Sequence, residues 1–131
     1  MRNLDMSGNQ IKSIYPDTFI HNDLLELLHL EGNRINDVHP SIFQNNNELG
    51  GLDMSGNKIK SIQPNTFIYN TELIWLYLTE NIITYVHPST FRNNSRLREL
   101  DMSGNNLISV DLQTFISNRE LEWLNLQNNN I

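Results

Sequence analysis

Apolar residues return along this chain at a fixed interval of 24. Leu4, Leu28, Leu52, Leu76, Leu100 and Leu124 are spaced 24 apart, and so are Met6, Leu30, Met54, Leu78, Met102 and Leu126 two positions later. With each turn numbered from 1 to 24, position 11 reads Ile11, Ile35, Ile59, Ile83, Leu107 and Ile131. Position 14 reads Ile14, Val38, Ile62, Val86 and Val110, and position 19 is always Phe: Phe19, Phe43, Phe67, Phe91 and Phe115. A polar column keeps the same measure, at Asn9, Asn33, Asn57, Asn81, Asn105 and Asn129, without insertion or deletion. Strict self-similarity at such a period is the signature of stacked repeats, in which a single unit cannot bury its own apolar stripe and its neighbours bury it instead. The chain therefore divides as a single array, 1–131, of five turns (1–24, 25–48, 49–72, 73–96 and 97–120) and a partial sixth (121–131). A 48-residue period lies on top of the first. Odd turns share L-D-M-S-G-N from Leu4, Leu52 and Leu100, and even turns share V-H-P-S at Val38–Ser41 and Val86–Ser89, which points to growth by duplication of paired turns.

Each turn changes its local period as it proceeds. Around positions 3 to 7 the pattern is x-L-x-L-x, the period-2 alternation of a short, half-buried strand. Positions 4 and 6 point into the coil, and positions 3, 5 and 7 point out. The Asn column at position 9 sits where the chain turns inward. An amide there can donate to and accept from backbone groups of adjacent turns, so the column is read as structural. Pro16, Pro40, Pro64 and Pro88, replaced by Leu112 in the fifth turn, preset φ for the first residue of a short helical turn, P-x-x-F-x-x-N. Asn22, Asn46, Asn70, Asn94 and Asn118 end that segment. They predict a left-handed residue there, a conformation Asn tolerates.

Composition narrows the function. Fifteen acidic residues against 9 basic give a formal charge of −6. A surface that tracks phosphates needs clustered Lys and Arg, and none is expected here, so no nucleic-acid partner is expected. The same balance disfavours an anionic membrane surface, and no apolar run approaches the roughly 18–20 residues that span a bilayer. With no cysteine there is neither a disulfide framework nor a thiolate metal site. Met1-Arg2-Asn3-Leu4-Asp5 enters the repeat at once without an apolar h-region, so no signal peptide is expected. Asn93-Asn94-Ser95 is a sequon, which makes Asn93 a candidate glycosylation site in a secreted protein.

The motif L-x-x-L-x-L-x-x-N-x-I with a later Phe resembles the leucine-rich repeat family over the whole chain. Its 24-residue length with Phe at position 19 is similar to the type found in animal extracellular proteins and Toll-like receptor ectodomains. That type usually carries Leu at position 22, where this chain has Asn throughout; the F-x-x-N variant resembles insect members. The resemblance implies an α/β repeat fold, a right-handed β-α superhelix with a parallel concave sheet of short strands and short helical turns on its convex side. It also implies an extracellular setting and a non-enzymatic recognition role, in adhesion, signalling or innate immunity. Extracellular members usually close the array with cysteine-containing caps, and this sequence has none. An array without caps is read as a fragment of a longer one, a truncated product, or a unit that stacks end to end as a homodimer.

In this family the ligand commonly docks on the concave sheet, so outward strand positions are the candidate binding residues. Position 3 carries Leu27, Trp75, Glu99 and Trp123, and position 5 carries His29, Asp53, Tyr77 and Asp101, with Arg98 beside them at position 2. The repeat does not require aromatics at these columns, and exposed Trp and Tyr are enriched in binding hot spots. A protein or peptide partner is therefore expected, centred on Trp75 and Tyr77, with bracing of the sheet as the plainer role. The Asp column either meets basic groups on a partner or is an ordinary solvated choice. His39 and His87 share a column two turns apart, about 10 Å, too far to chelate one ion, and no metal or other cofactor is expected. Asp53 and Asp101 stand at a separation seen in inverting glycosidase pairs, but on an open surface with no pocket to tune either group. No nucleophile–base pair, phosphate loop or metalloprotease motif is present, so the chain is read as no enzyme.

Overall fold

A turn of 24 residues leaves each strand three residues of pairing before the chain must bend away. In the computed structural model, which describes residues 1–131, the strands are β1 (Asn3–Asp5), β2 (Leu27–His29), β3 (Gly51–Asp53), β4 (Trp75–Tyr77), β5 (Glu99–Asp101) and β6 (Trp123–Asn125). They form one parallel sheet in the order β1-β2-β3-β4-β5-β6. Each residue pairs with the one 24 later, as in Leu52 with Leu76 and Asp53 with Tyr77. The sequence period is thus the sheet register. Pairing runs past the strand ends: Leu30 N donates to Asp53 O at 2.8 Å and Met54 N to Tyr77 O at 2.8 Å.

The interior is one cluster of 24 buried apolar residues. Leu28, Leu52, Leu76 and Leu100 fill it behind the strands, and Ile35, Ile59, Ile83 and Leu107 fill it at the first corner. The Phe column stacks along the far side. Successive ring centroids lie 6.3, 6.1, 6.3 and 6.2 Å apart from Phe19 to Phe115, with planes within 15° of each other. Offset stacks of this spacing are favourable beyond their burial.

Two asparagine ladders satisfy the backbone where the chain turns. Asn57 Nδ2 donates to Leu30 O and Met54 O, both at 3.0 Å, and its Oδ1 accepts from Ile35 N at 3.0 Å. Asn33, Asn81 and Asn105 repeat this arrangement. The second ladder is the position 22 column, and it departs from the expectation of a left-handed residue. Asn70 is buried, with Nδ2 donating to Phe43 O at 3.1 Å and Asn46 O at 2.9 Å; Asn46, Asn94 and Asn118 do the same one turn apart. The amide is selected as a donor to two carbonyls of the preceding turn rather than for its backbone freedom.

The left-handed conformation sits at position 8, where Gly8, Gly32, Gly56 and Gly104 have φ between 62 and 66° and Glu80 and Asn128 have φ of 54 and 55°. The convex segments differ from expectation as well. They are hydrogen-bonded turns, not helical ones, with donors skipping alternate residues (Thr18 N to Tyr15 O, Ile20 N to Asp17 O, Asn22 N to Phe19 O). The one 3-10 helix, Leu112–Phe115, forms in the turn that lacks Pro, capped by Asp111, whose side chain accepts from Gln113 N at 2.9 Å. His39 and His87 occupy the Asp111 column and cap in the same way, their Nδ1 atoms accepting from Ser41 N at 3.2 Å and Ser89 N at 3.1 Å. That accounts for V-H-P-S and gives both histidines a structural role.

Candidate functional site

The outward face of the sheet is shaped by one gap in its position 3 column. Gly51 stands where its neighbours carry Leu27 and Trp75, and the Trp75 indole lies across it, leaving no room for a Cβ. The ring therefore reaches back over β3 and comes within 5.9 Å of the His29 ring, while the Tyr77 ring packs on its other side at 4.9 Å. His29, Trp75 and Tyr77 make a continuous aromatic band across three strands.

Beyond the band the face turns acidic and hollows out. Asp53, Tyr77, Glu99, Asp101 and Trp123, with Ser55 and Thr79, line a concavity of about 640 Å³. The surface between Asp53 and Asp101, expected to be open with no pocket, stays open to solvent but carries a concavity bordered by the Tyr77 and Trp123 rings. Tyr77 Oη donates to Glu99 Oε2 at 2.6 Å. That bond, together with partial burial and the nearby carboxylates of Glu99, Asp53 and Asp101, pushes the phenol up to about 12. The Asp column is tied to its own strand ends. Asp53 Oδ1 accepts from Ser55 N at 2.9 Å, and Asp101 Oδ1 accepts from Ser103 N at 2.8 Å and Ser103 Oγ at 2.6 Å. Asp5 makes the same pair of bonds to Ser7, and these hold its carboxyl below the usual carboxylate range. L-D-x-S is therefore a turn device that uses Oδ1 of each Asp, while Oδ2 of Asp101 accepts from Asn125 Nδ2 at 3.4 Å.

The remaining candidates divide around this centre. Trp123 pairs in register with Glu99 and is 45% exposed, on the rim of the depression. Leu27 lies two strands away from Trp75, outside the depression. Arg98, a candidate contact residue of the face, is turned to Glu120, with Nε and Nη2 each 3.2 Å from Oε2. Asn93 is exposed, but its Nδ2 donates to Ile68 O at 3.1 Å, so glycosylation there requires that bond to open. The donor atoms of His29, Glu31 and Asp53 lie within 4.8 Å of one another, the one grouping close enough to share an ion. There the His29 Nδ1 already faces Glu31 Oε2 at 3.5 Å.

Sequence reasoning passed over Gly51, Glu31, Ser55 and Thr79. The signal for Gly51 was a lone glycine in an otherwise side-chain-bearing column directly before Trp75. It also passed over a cluster of cations. Lys12, Arg34, Lys58 and Lys60 surround a second, smaller depression of about 300 Å³ on the lateral side of the coil, so the absence of clustered Lys and Arg holds only for the linear chain. Positions 10 and 12 of successive turns are neighbours in space, and residues more than 20 apart in sequence meet there.

Leucine-rich repeat family models match residues 1–22, 23–83 and 71–131. Stacked 24-residue coils on a parallel sheet, with the open face lined by non-repeating side chains, define a solenoid-type repeat protein. The chain belongs to the leucine-rich repeat family. No curated protein matches the sequence. Among solved structures it is similar to the leucine-rich repeat domain of APL1B, at 26% identity and a TM-score of 0.92 over 98% of this chain and 38% of that one. It is also similar to TLR13 in its complex with ssRNA13, at 27% identity and a TM-score of 0.94 over all of this chain and 18% of that one. Toll in the Drosophila Toll–Spatzle complex shares the fold at 23% identity and a TM-score of 0.92, over 98% of this chain and 19% of that one. The chain thus spans well under half the length of each of these three.

Proposed function

We propose that the open face of the sheet recognises a protein or peptide, and that the chain serves as a binding module of an extracellular, receptor-type array rather than as a catalyst. The observation that carries this reading is the depression between β3 and β6. It combines Asp53, Glu99 and Asp101 with the rings of Tyr77 and Trp123, and none of the three carboxylates has a cationic partner. Carboxylates framed by aromatic rings suit a guanidinium or ammonium group, which gains both ion pairing and cation–π attraction. The partner segment is accordingly one that presents Arg or Lys into the depression and lays apolar surface on Trp75. Six strands at about 4.8 Å spacing offer roughly 24 Å of face, room for a loop, a strand or one helical turn. Its likeness to a leucine-rich repeat protein solved with a bound ligand, TLR13 with ssRNA13, agrees with a recognition role.

The test is selection of a random displayed peptide library on the intact chain, followed by binding measurements on Trp75→Ala and on the triple variant Asp53→Asn, Glu99→Gln, Asp101→Asn. Selected peptides should be enriched in Arg or Lys. They should bind either variant at least about tenfold more weakly, the loss expected of a hot-spot contact. Peptides that bind both variants as well as the parent would place recognition elsewhere and reject this reading.

A further inference from the structure

We infer that the lateral side of the first three turns is a second, separate binding surface, and that its ligand is a sulfated polysaccharide. The inference starts from how the coil alternates its side chains after the asparagine corner. Ile11, Ile35 and Ile59 turn into the core, so positions 10 and 12 on either side of each must face outward. Turns are held side by side here, with Arg34 N donating to Ile11 O and Lys58 N to Ile35 O, both at 2.8 Å. Outward residues at these positions therefore line up in rows about 4.8 Å apart from turn to turn.

Chemistry is uneven along those rows. The segments 10–13, 34–37 and 58–61 carry Lys12, Arg34, Lys58 and Lys60 against a single acidic residue, Asp37. All four cations are exposed, and none is in an ion pair, whereas Arg2, Arg96 and Arg98 are each matched to a glutamate. Four of the chain's 9 basic residues thus stand unpaired in one place on a protein of net charge −6. They surround the depression of about 300 Å³ together with Asn36 and Ile82. Like charges held this close repel one another, and an anion relieves that repulsion.

The shape of the patch selects among anions. Cations in the first and third turns are about 10 Å apart, too far to converge on one phosphate ion and suited to a chain with charges at intervals. No aromatic ring lines the depression, so a single-stranded nucleic acid would find no platform on which to stack its bases. Three of the four cations are Lys, which acts as a point charge and needs no bidentate geometry. A flexible polymer of sulfate groups and hydroxyls meets these conditions, with Asn36 available to the hydroxyls.

The experiment is titration of the full chain with a heparin octasaccharide, its desulfated counterpart and a single-stranded oligouridylate of equal charge. It is repeated on Lys58→Glu/Lys60→Glu, on the milder Lys58→Gln/Lys60→Gln, and on Arg92→Glu/Arg119→Glu, which imposes the same charge change on exposed residues elsewhere. The parent should bind the heparin octasaccharide, weakening roughly tenfold between about 50 and about 150 mM salt as counterions are released. Both lysine variants should lose affinity, the Glu pair at least about tenfold, while the arginine control stays within about twofold of the parent. Absence of binding, equal loss in the arginine control, or equal binding of the desulfated sugar would overturn the proposal. Tighter binding of the oligouridylate would overturn it in favour of nucleic acid. Peptide binding at the open face of the sheet is a separate readout, so failure of either reading leaves the other standing.

Discussion

The indole of Trp75 rests on the backbone of Gly51, its register partner on the neighbouring strand, where any side chain would strike it. Gly51 has no positive φ, so nothing in its backbone demands glycine; the demand comes from the ring. Gly51→Ala should therefore gain slightly in strand propensity and lose more by driving Trp75 off its seat, for a net destabilisation of about 1–2 kcal/mol. In a Trp123→Phe background, where Trp75 is the single indole, its emission should shift to the red as the ring enters water. An unshifted spectrum with unchanged stability would show that the ring does not lie on Gly51 in solution.

Tyr77 and Glu99 give a second, titratable check on the same face. Tyr77 is raised to about 12 by its bond to Glu99, whereas Tyr15, Tyr69 and Tyr85 are exposed. A folded-state value above the unfolded value of about 10 contributes stability that is whole below pH ~10 and is lost as pH rises through ~12. Phenolate absorbance should therefore contain a step near pH ~12 that belongs to Tyr77. Glu99→Ala should bring it back toward the ordinary value. Absence of that step from the parent would mean that the Tyr77–Glu99 bond is not kept in solution.

How far the sequence could be read depended on whether a residue type has one use or several. Leu at position 4 and Phe at position 19 have only burial to satisfy, so their columns gave the sheet, its register and the core directly. Asn at position 22 is ambiguous, because Asn tolerates a left-handed backbone and also donates two amide hydrogens; only the packed turns show that the donors matter. The left-handed residue was visible instead in the glycines of position 8. The site was harder because its relations run between turns. Trp75 and Tyr77 were legible as unneeded aromatics, but the gap at Gly51, the diversion of Arg98 to Glu120 and the meeting of Lys12 with Arg34, Lys58 and Lys60 require columns to be compared with their neighbours.

The convex asparagine ladder should be worth more in the middle of the array than at its first turn. Asn70→Ala removes the second hydrogen bond to the carbonyls of Phe43 and Asn46, which keep their backbone donors Asn46 N and Leu49 N. The same change removes an amide oxygen that has no partner of its own, which offsets part of the loss. The net cost should be about 1–3 kcal/mol. Asn22 makes no such bonds and is only half-buried, so Asn22→Ala should fall within about 0.5 kcal/mol of the parent. Chemical denaturation of the two variants side by side decides the matter, and equal costs would refute the donor role assigned to this column.

Glu80 is the reverse case, a residue in a column whose backbone favours another. It holds φ at 54° where four of the other turns place glycine. A left-handed backbone costs a residue with a Cβ roughly 1–2 kcal/mol. Glycine at that position removes the strain but enlarges the freedom of the unfolded chain by about 0.5–1 kcal/mol. The difference leaves Glu80→Gly more stable than the parent by about 0.5–1 kcal/mol, a rare stabilising change at a position that is not buried. The Glu80 carboxylate also lies over Gly104, so the same substitution frees that face of the next turn. Gly104→Ala should therefore be destabilising in either background through its own φ of 64°, and more so with Glu80 present, where the new methyl meets the carboxylate. Measured as a double-mutant cycle, the two substitutions should couple; strictly additive effects would show that backbone conformation alone, and not the contact, sets the cost at Gly104.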